Sequence, residues 1–431
     1  MNALNQNLRQ SSGFQEMFLS VRNRIMDALD AEAVTSLSAS ALGSQIYAAI
    51  NAMVEQEAIS LPRGVQADFT SRLVDEIIGL GPLQPLLDDP DISDIMVNGA
   101  CCVYVERHGR LEKTNVSFID DRQLQNIARR IAVSAGRRVD ESCPMCDARL
   151  PDGSRVNIAI SPITLDGTVI SIRKFSQSII DFRALVGFGS LSSAMARILA
   201  IAAHCRLNII ISGGTGSGKT TLLNALSGQI PETERIITIE DAAELQLQQP
   251  HVVRMETRPA SIEGTGAVSA RDLVVNALRM RPDRIIIGEC RGTETFEMLQ
   301  AMNTGHDGSM STLHANTPRD ALARMESMVM MAVPNLTLTS IRRNIANAVD
   351  LVIQISRLHN GCRKVMSICE VMGVEGENIV LEEMFHFEPG QEDKTGQFHS
   401  NGLLSRSVLN KKARFFNMEE SLNRVFQGGE Q

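Results

Sequence analysis

Residues Gly213-Gly-Thr-Gly-Ser-Gly-Lys-Thr220 match the pattern G-x-x-x-x-G-K-[ST] at every specified position, and this octapeptide constrains the fold more than any other feature of the chain. The pattern requires a strand before it and a helix after it. Leu207-Asn-Ile-Ile-Ile-Ser212 is a β-branched run of the kind that fills a buried parallel strand, and Lys219-Thr-Thr-Leu-Leu-Asn-Ala-Leu226 opens a helix. Glycines at 213, 214, 216 and 218 are expected to take positive φ angles, so that successive amide N–H groups turn inward on a phosphate at the helix N-terminus. On this reading Gly213, Gly214, Thr215, Gly216, Ser217, Gly218, Lys219, Thr220 and Thr221 bind ATP. Lys219 places a point charge on the β- and γ-phosphates, and the hydroxyl of Thr220 ligates Mg²⁺.

A chain of 431 residues is too long for one ordinary core, so two or three domains are expected. Its 43% hydrophobic and 21% charged composition is that of a folded soluble protein. A formal net charge of −8 argues against a surface built to wrap nucleic acid. The polar N-terminus lacks the apolar core of a secretory signal. The most apolar stretch, Ala196 to Ser212, is interrupted by Arg197, His204, Arg206 and Asn208, so no transmembrane segment is expected. Any membrane association must then go through a partner or the surface. The 8 cysteines are scattered, as for reduced thiols in a cytosol. Cys143 and Cys146 have the C-x-x-C spacing, but with no second pair at metal-ligand spacing they read as packing thiols rather than a zinc or redox site.

Hydrophobic periodicity organises the chain into four parts. Residues 1–75 read as a helical extension in which Leu42, Ile46, Ile50 and Val54 recur on one face. Residues 76–178 read as a small α/β domain with strands at Asp94–Asn98, Cys102–Glu106, Val156–Ile160 and Val169–Arg173, a turn at His108-Gly109 and a helix around Gln123 to Ala135. In residues 179–390, strands at Arg235–Ile239, Val252–Met255 and Arg284–Gly288 alternate with helices, which predicts a doubly wound, mainly parallel sheet. Residues 391–431 turn polar and read as a tail, with a basic, aromatic segment at Lys411-Lys-Ala-Arg-Phe-Phe416.

Three further segments carry chemistry. Arg284-Ile-Ile-Ile-Gly-Glu289 is an apolar strand ending in a carboxylate, which a neighbouring parallel strand would deliver to the γ-phosphate; Glu289 is the candidate base that orients water. Gly288 stands at the usual Walker B aspartate position. Thr238-Ile-Glu-Asp241 also ends a strand in acids, with Glu244 following at helical spacing. Glu240 and Asp241 beside a triphosphate suggest Mg²⁺, although an acidic helix N-cap has the same look. Thr304 to Asn316 holds His306 and His314 among hydroxyls and glycines, which reads equally as a γ-phosphate sensor loop or as a pair of structural histidines.

These boxes in this order resemble the superfamily of ATPases that drives type II secretion, type IV secretion and type IV pili. Gly79–Leu83, Asp94–Gly99, Asp147–Arg155, Ile172–Phe175 and Glu256–Pro259 are similar to the CpaF/TadA branch, the motor of tight-adherence (Flp) pili. The resemblance covers roughly residues 70 to 410. It implies a cytoplasmic bacterial homo-hexamer, peripheral at the inner membrane, whose RecA-like P-loop NTPase domain follows a smaller α/β domain and hydrolyses Mg-ATP. It implies partners in the membrane platform and, indirectly, prepilin. It also implies that Glu289, Lys219, Glu240, His306 and His314 act in catalysis, that Thr220, Glu240 and Asp241 attend the metal, and that Arg149, Arg155 and Arg173 close over the nucleotide. Type II members carry a tetracysteine insertion, whereas Cys362 and Cys369 are the only cysteines here after Cys290, which favours the pilus or type IV side. The competing readings are a type IV secretion ATPase moving protein or DNA, a helicase, and a nucleotide-gated scaffold without hydrolysis. The helicase reading is disfavoured because 2 Tyr and 0 Trp leave few stacking platforms.

Overall fold

A computed structural model describes residues 12–28, 38–57, 61–107, 109–175, 180–258, 260, 265–390 and 396–427. His108 of the expected turn, Pro259 of the Glu256–Pro259 motif and residues 176–179 of the connecting stretch lie outside the described residues. The chain divides into two compact units, Met1–Ser176 and Gln177–Gln431.

The first unit opens with helices Ser12–Ala28, Ala39–Glu57 and Arg63–Ile77. Leu42, Ile46 and Ile50 are buried together with Phe69 and Leu73, so the every-fourth-residue pattern marks a real core face. A six-stranded antiparallel sheet follows, built from β1 (Ile92–Asn98), β2 (Val103–Arg107), β3 (Arg110–Lys113), β4 (Met145–Arg149), β5 (Arg155–Ala159) and β6 (Val169–Arg173), in the order β3-β2-β1-β6-β5-β4. One face is apolar by alternation (Ile95, Val97, Val156, Ile158, Ile170, Ile172) and clusters with Leu124, Ile127 and Ile131 of helix Asp121–Ser134. β3 and β4 were not legible, because Arg-Leu-Glu-Lys and Met-Cys-Asp-Ala-Arg carry no apolar alternation. Glu76 ties helix Arg63–Ile77 to its neighbours, accepting from Arg22 Nε at 2.7 Å and from Gln123 Nε2 at 3.1 Å.

The second unit is a nine-stranded mixed sheet in the order β15-β14-β13-β12-β7-β11-β10-β8-β9. β7 (Ile209–Gly213), β8 (Ile236–Glu240), β9 (Val252–Glu256), β10 (Arg284–Ile287), β11 (Met310–Leu313) and β12 (Leu351–Arg357) run parallel. β13 (Arg363–Glu375), β14 (Asn378–Glu388) and β15 (Gln397–Ser400) extend it antiparallel. Each face carries its own core: Ile209 and Ile211 belong to one and Ile210 to the other. Burial on both faces is why these strands read as unbroken apolar runs.

Two expectations are corrected here. Met310–Leu313 within the segment from Thr304 to Asn316 is not loop but the short strand β11, hidden by its polar composition Met-Ser-Thr-Leu. The polar stretch after residue 390 is not a free tail: it supplies β15 and helices Val408–Phe415 and Glu419–Gln427, which bury Leu409, Ala413, Leu422 and Val425 in the core. The carboxylate of Glu370 on β13 anchors the first of these helices, accepting from Ser407 Oγ at 2.9 Å and Leu409 N at 3.1 Å.

Candidate functional site

Because β7, β11, β10 and β8 are parallel neighbours in that order, their C-terminal ends share one edge of the sheet, where open α/β sheets bind ligands. Read across that edge, the residues at or just beyond the strand ends are the P-loop, His314, Glu289 and Glu240. The contacts follow the same order. Lys219 Nζ donates to the carbonyls of Gly213 (3.0 Å) and Gly214 (2.9 Å) and lies 3.4 Å from His314 Nε2, which in turn lies 2.7 Å from Glu289 Oε1. The expectation that Glu289 comes from the strand beside β7 is corrected: β11 stands between them, and His314 at its end fills the gap between lysine and carboxylate.

The P-loop glycines differ in purpose. Gly216 and Gly218 have φ of 69° and 99°, but Gly213 and Gly214 do not enter the left-handed region, which corrects the expectation for those two. Gly213 is required sterically, since a Cβ there would fall 2.4 Å from the carbonyl oxygen of Ile355 on adjacent β12. Ser217 is buried and donates to Gly214 O at 2.9 Å, closing the turn that leads through Gly218 into helix Lys219–Ser227. Thr215, Thr220 and Thr221 lie in the same turn and at the start of this helix.

Glu240 explains Gly288. A Cβ at Gly288 would lie 2.9 Å from Glu240 Cγ, so the space a Walker B side chain would take is filled by glutamate from the next strand. Glu240 Oε2 accepts the N–H groups of Glu244 (2.7 Å) and Leu245 (2.9 Å). Burial raises its carboxyl above the ordinary range, and its Oε1 is buried without a partner among the described residues. The segment after Glu240 wraps this carboxylate as a bend followed by irregular chain rather than continuing as a helix, which corrects the helical spacing read for Glu244.

Asp241 points elsewhere: Oδ1 accepts from Thr257 Oγ1 at 3.2 Å, and Oδ2 lies 3.4 Å from Arg291 Nη1. Arg291 also grips Glu289 Oε2, through Nη2 at 2.5 Å and Nε at 2.8 Å. This bridge between two carboxylates was not legible in the sequence, where an arginine after a glutamate looks like any solvated pair.

His306 is the clearest miss. It precedes β11 whereas His314 follows it, so the four-residue strand places them at opposite edges of the sheet, on the order of 13 Å or more apart at ~3.3 Å per residue. His306 O accepts from Ser309 Oγ at 2.8 Å, a turn contact remote from the P-loop.

In the first unit Arg149, Arg155 and Arg173 are consecutive register partners across β4, β5 and β6, which sets three guanidinium groups on one sheet face. The row continues to Asp94 on β1, whose Oδ1 lies 3.4 Å from Arg173 Nε. Cys143 and Cys146 are free thiols, the second buried in the core. Among the described residues no cluster of three His, Cys, Asp or Glu is placed to hold a metal, and no helix is long and apolar enough to cross a membrane.

Burial, with the adjacent charge of Lys219 second, lowers the pKa of His314 below its ordinary value of 6.5. A depressed histidine contributes stability above its unfolded pKa and loses it as pH falls through the folded one. Melting temperature is therefore expected to fall more steeply below pH 6.5 in the unchanged protein than in His314→Gln. Parallel pH profiles of the two in calorimetry would show that His314 carries no such linkage.

Comparison with known proteins adds to this geometry. A family model described as type II/IV secretion system protein matches residues 76–412. A Mycobacterium tuberculosis protein named for conjugal transfer is 36% identical over 330 residues, covering 75% of this chain and 93% of its own length. The type IV secretion system protein PtlH of Bordetella pertussis is 35% identical over 305 residues, covering 64% of this chain and 89% of its own. The crystal structure of the VirB11 ATPase from the Brucella suis type IV secretion system is 29% identical, with a TM-score of 0.37 over 68% of this chain and 96% of that one.

Proposed function

From the premise that the chain belongs to the type II/IV secretion system protein family, we propose that it is an ATP-hydrolysing motor assembled as a hexamer, which drives a tight-adherence pilus through an inner-membrane platform. The observation that carries the hydrolytic part is the contact series Lys219–His314–Glu289 at one sheet edge, which brings a phosphate-binding lysine and a carboxylate able to orient water to either side of one histidine. The pilus assignment rests on the motifs shared with the CpaF/TadA branch.

Lys219 exchanges its bonds to the Gly213 and Gly214 carbonyls for phosphate oxygens. Glu289, held from two sides by His314 and Arg291, orients the attacking water. Thr220, Glu240 and Asp241 are the residues that would attend Mg²⁺, directly or through water, and the ion would supply neutralisation of phosphate charge; the buried, unpartnered Oε1 of Glu240 is the acceptor left for it. Arg149, Arg155 and Arg173, one guanidinium row on the α/β domain's sheet, are assigned to the nucleotide's phosphates on the family resemblance. Gly288 does not favour a scaffold that binds without hydrolysis, since Glu240 occupies the space of the missing aspartate.

The second reading, a type IV secretion ATPase, is favoured by the relatives named for conjugal transfer and type IV secretion. Lys219→Ala in the native cell separates the two. We expect surface pili to vanish from electron micrographs while DNA and protein export continue; intact pili with failed export would establish the second reading instead.

A further inference from the structure

We propose that Arg357 and Arg363, which face each other where β12 turns into β13, form a second cationic contact for the phosphates of the nucleotide in the P-loop. The inference rests on the nucleotide reading above and concerns the side of the loop that reading leaves unassigned. β7 has β11 on one side and β12 on the other. Lys219, His314 and Glu289 meet on the β11 side. On the other side β12 pairs Ile355 with Gly213, and its next two residues carry it alongside the loop to Arg357.

Arg363 is the register partner of Arg357 across the hairpin. Its Nε donates to Gly216 O at 3.0 Å, and its Cδ would lie 3.2 Å from a Cβ on Gly218. Arg357 Nη1 would lie 3.9 Å from a Cβ on Gly216. Both side chains therefore lie close against the two loop glycines of positive φ.

Their charge arrangement is unfavourable on its own. Like charges directly opposite on paired strands destabilise the pair, and among the described residues neither arginine has a carboxylate partner. A polyphosphate supplies the missing negative charge, and planar guanidinium groups match its oxygens as forks. Arg363 spends Nε on bracing the loop and keeps both Nη groups for the ligand, while Arg357 keeps all its donors.

The test is nucleotide affinity of the full chain, measured by displacement of a fluorescent ATP analogue, for the unchanged protein, Arg357→Gln, Arg363→Gln, Arg357→Lys and Lys219→Ala. Each Gln variant should raise the Kd for ATP and ADP about tenfold or more, as loss of a charge-assisted hydrogen bond does. Arg357→Lys should recover part of that loss. Melting temperature without nucleotide should stay level or rise in Arg357→Gln, because the repulsive pair is removed while the Arg363 brace to Gly216 is kept. Unchanged Kd in both Gln variants beside a weakened Lys219→Ala overturns the clamp and leaves the nucleotide reading standing. Unchanged Kd with lost turnover also overturns it, and assigns the arginines to a neighbouring copy's site. No ATP binding by the unchanged protein overturns the nucleotide reading and the clamp together.

Discussion

Glu289→Gln is expected to lower Mg-ATP turnover by about 10²–10⁴-fold, the range for loss of a positioned general base, while ATP still binds. The carboxylate takes no part in cradling phosphate. On the reading proposed above, that work falls to the P-loop amides and to Lys219, which belong to a different strand–helix junction, two strands away across the sheet. What the substitution removes is the acceptor held between His314 at 2.7 Å and Arg291 at 2.5 Å. Glutamine keeps the shape but removes the charge and turns one acceptor into a donor, so it can accept from only one of Arg291 and His314 and cannot take the proton of an attacking water. Steady-state phosphate release with a parallel ATP-binding assay checks this: wild-type turnover by the variant would remove Glu289 from the mechanism, and loss of both turnover and binding would make it a structural residue.

The largest stability effect is expected far from this edge, at Arg284. It is the one charged residue among the largest fully buried side chains of the described residues, at 0% exposure. Its Nε donates to Glu234 Oε2 at 2.6 Å, its Nη2 to Glu234 Oε1 at 3.1 Å, and its Nη1 to the carbonyl of Ala203 at 2.6 Å. One guanidinium thus joins the end of helix Ser193–His204, the approach to β8 and the first residue of β10. Arg284→Met leaves Glu234 buried with only Arg206 Nε at 3.3 Å, and removal of one partner from such a pair costs about 3–5 kcal/mol. At about 2–4 °C per kcal/mol for a unit of this size, the melting temperature should drop by roughly 10 °C. Gly308→Ala should act on the same cluster, because a Cβ there would lie 2.7 Å from Arg284 Nη1 at a φ of 86°. Calorimetry that finds Arg284→Met within 1 °C of the unchanged protein, a threshold set well below the expected shift, would show that the pair contributes nothing net.

Legibility in the sequence tracked how local the cause was. The P-loop could be read because strand, turn and helix are contiguous and each residue type is dictated by its own backbone or ligand contact. Buried parallel strands such as Ile236–Glu240 could be read because both faces are covered and the run is apolar throughout. β11 could not, since its polar side chains are satisfied by neighbours remote in sequence: Thr312 Oγ1 donates to Gly288 O at 2.7 Å and Ser311 Oγ to Cys290 Sγ at 3.2 Å. Missing β11 left His306 and His314 in one loop, when the strand between them sends only His314 to the site. Arg291, Arg357 and Arg363 were invisible for a related reason, because an exposed arginine acquires meaning only from the chain that folds against it. Gly288 looked like a defect in a motif until Glu240 was found in its place.

Under the function proposed above, this chain turns ATP over. Phosphate release by the purified full chain with Mg-ATP, followed across a range of protein concentrations, tests it most directly. Specific turnover that rises with concentration is the predicted result, as subunits assemble into the active form. Tight ATP binding with no phosphate released at any concentration would contradict the claim and leave a nucleotide-gated scaffold in its place.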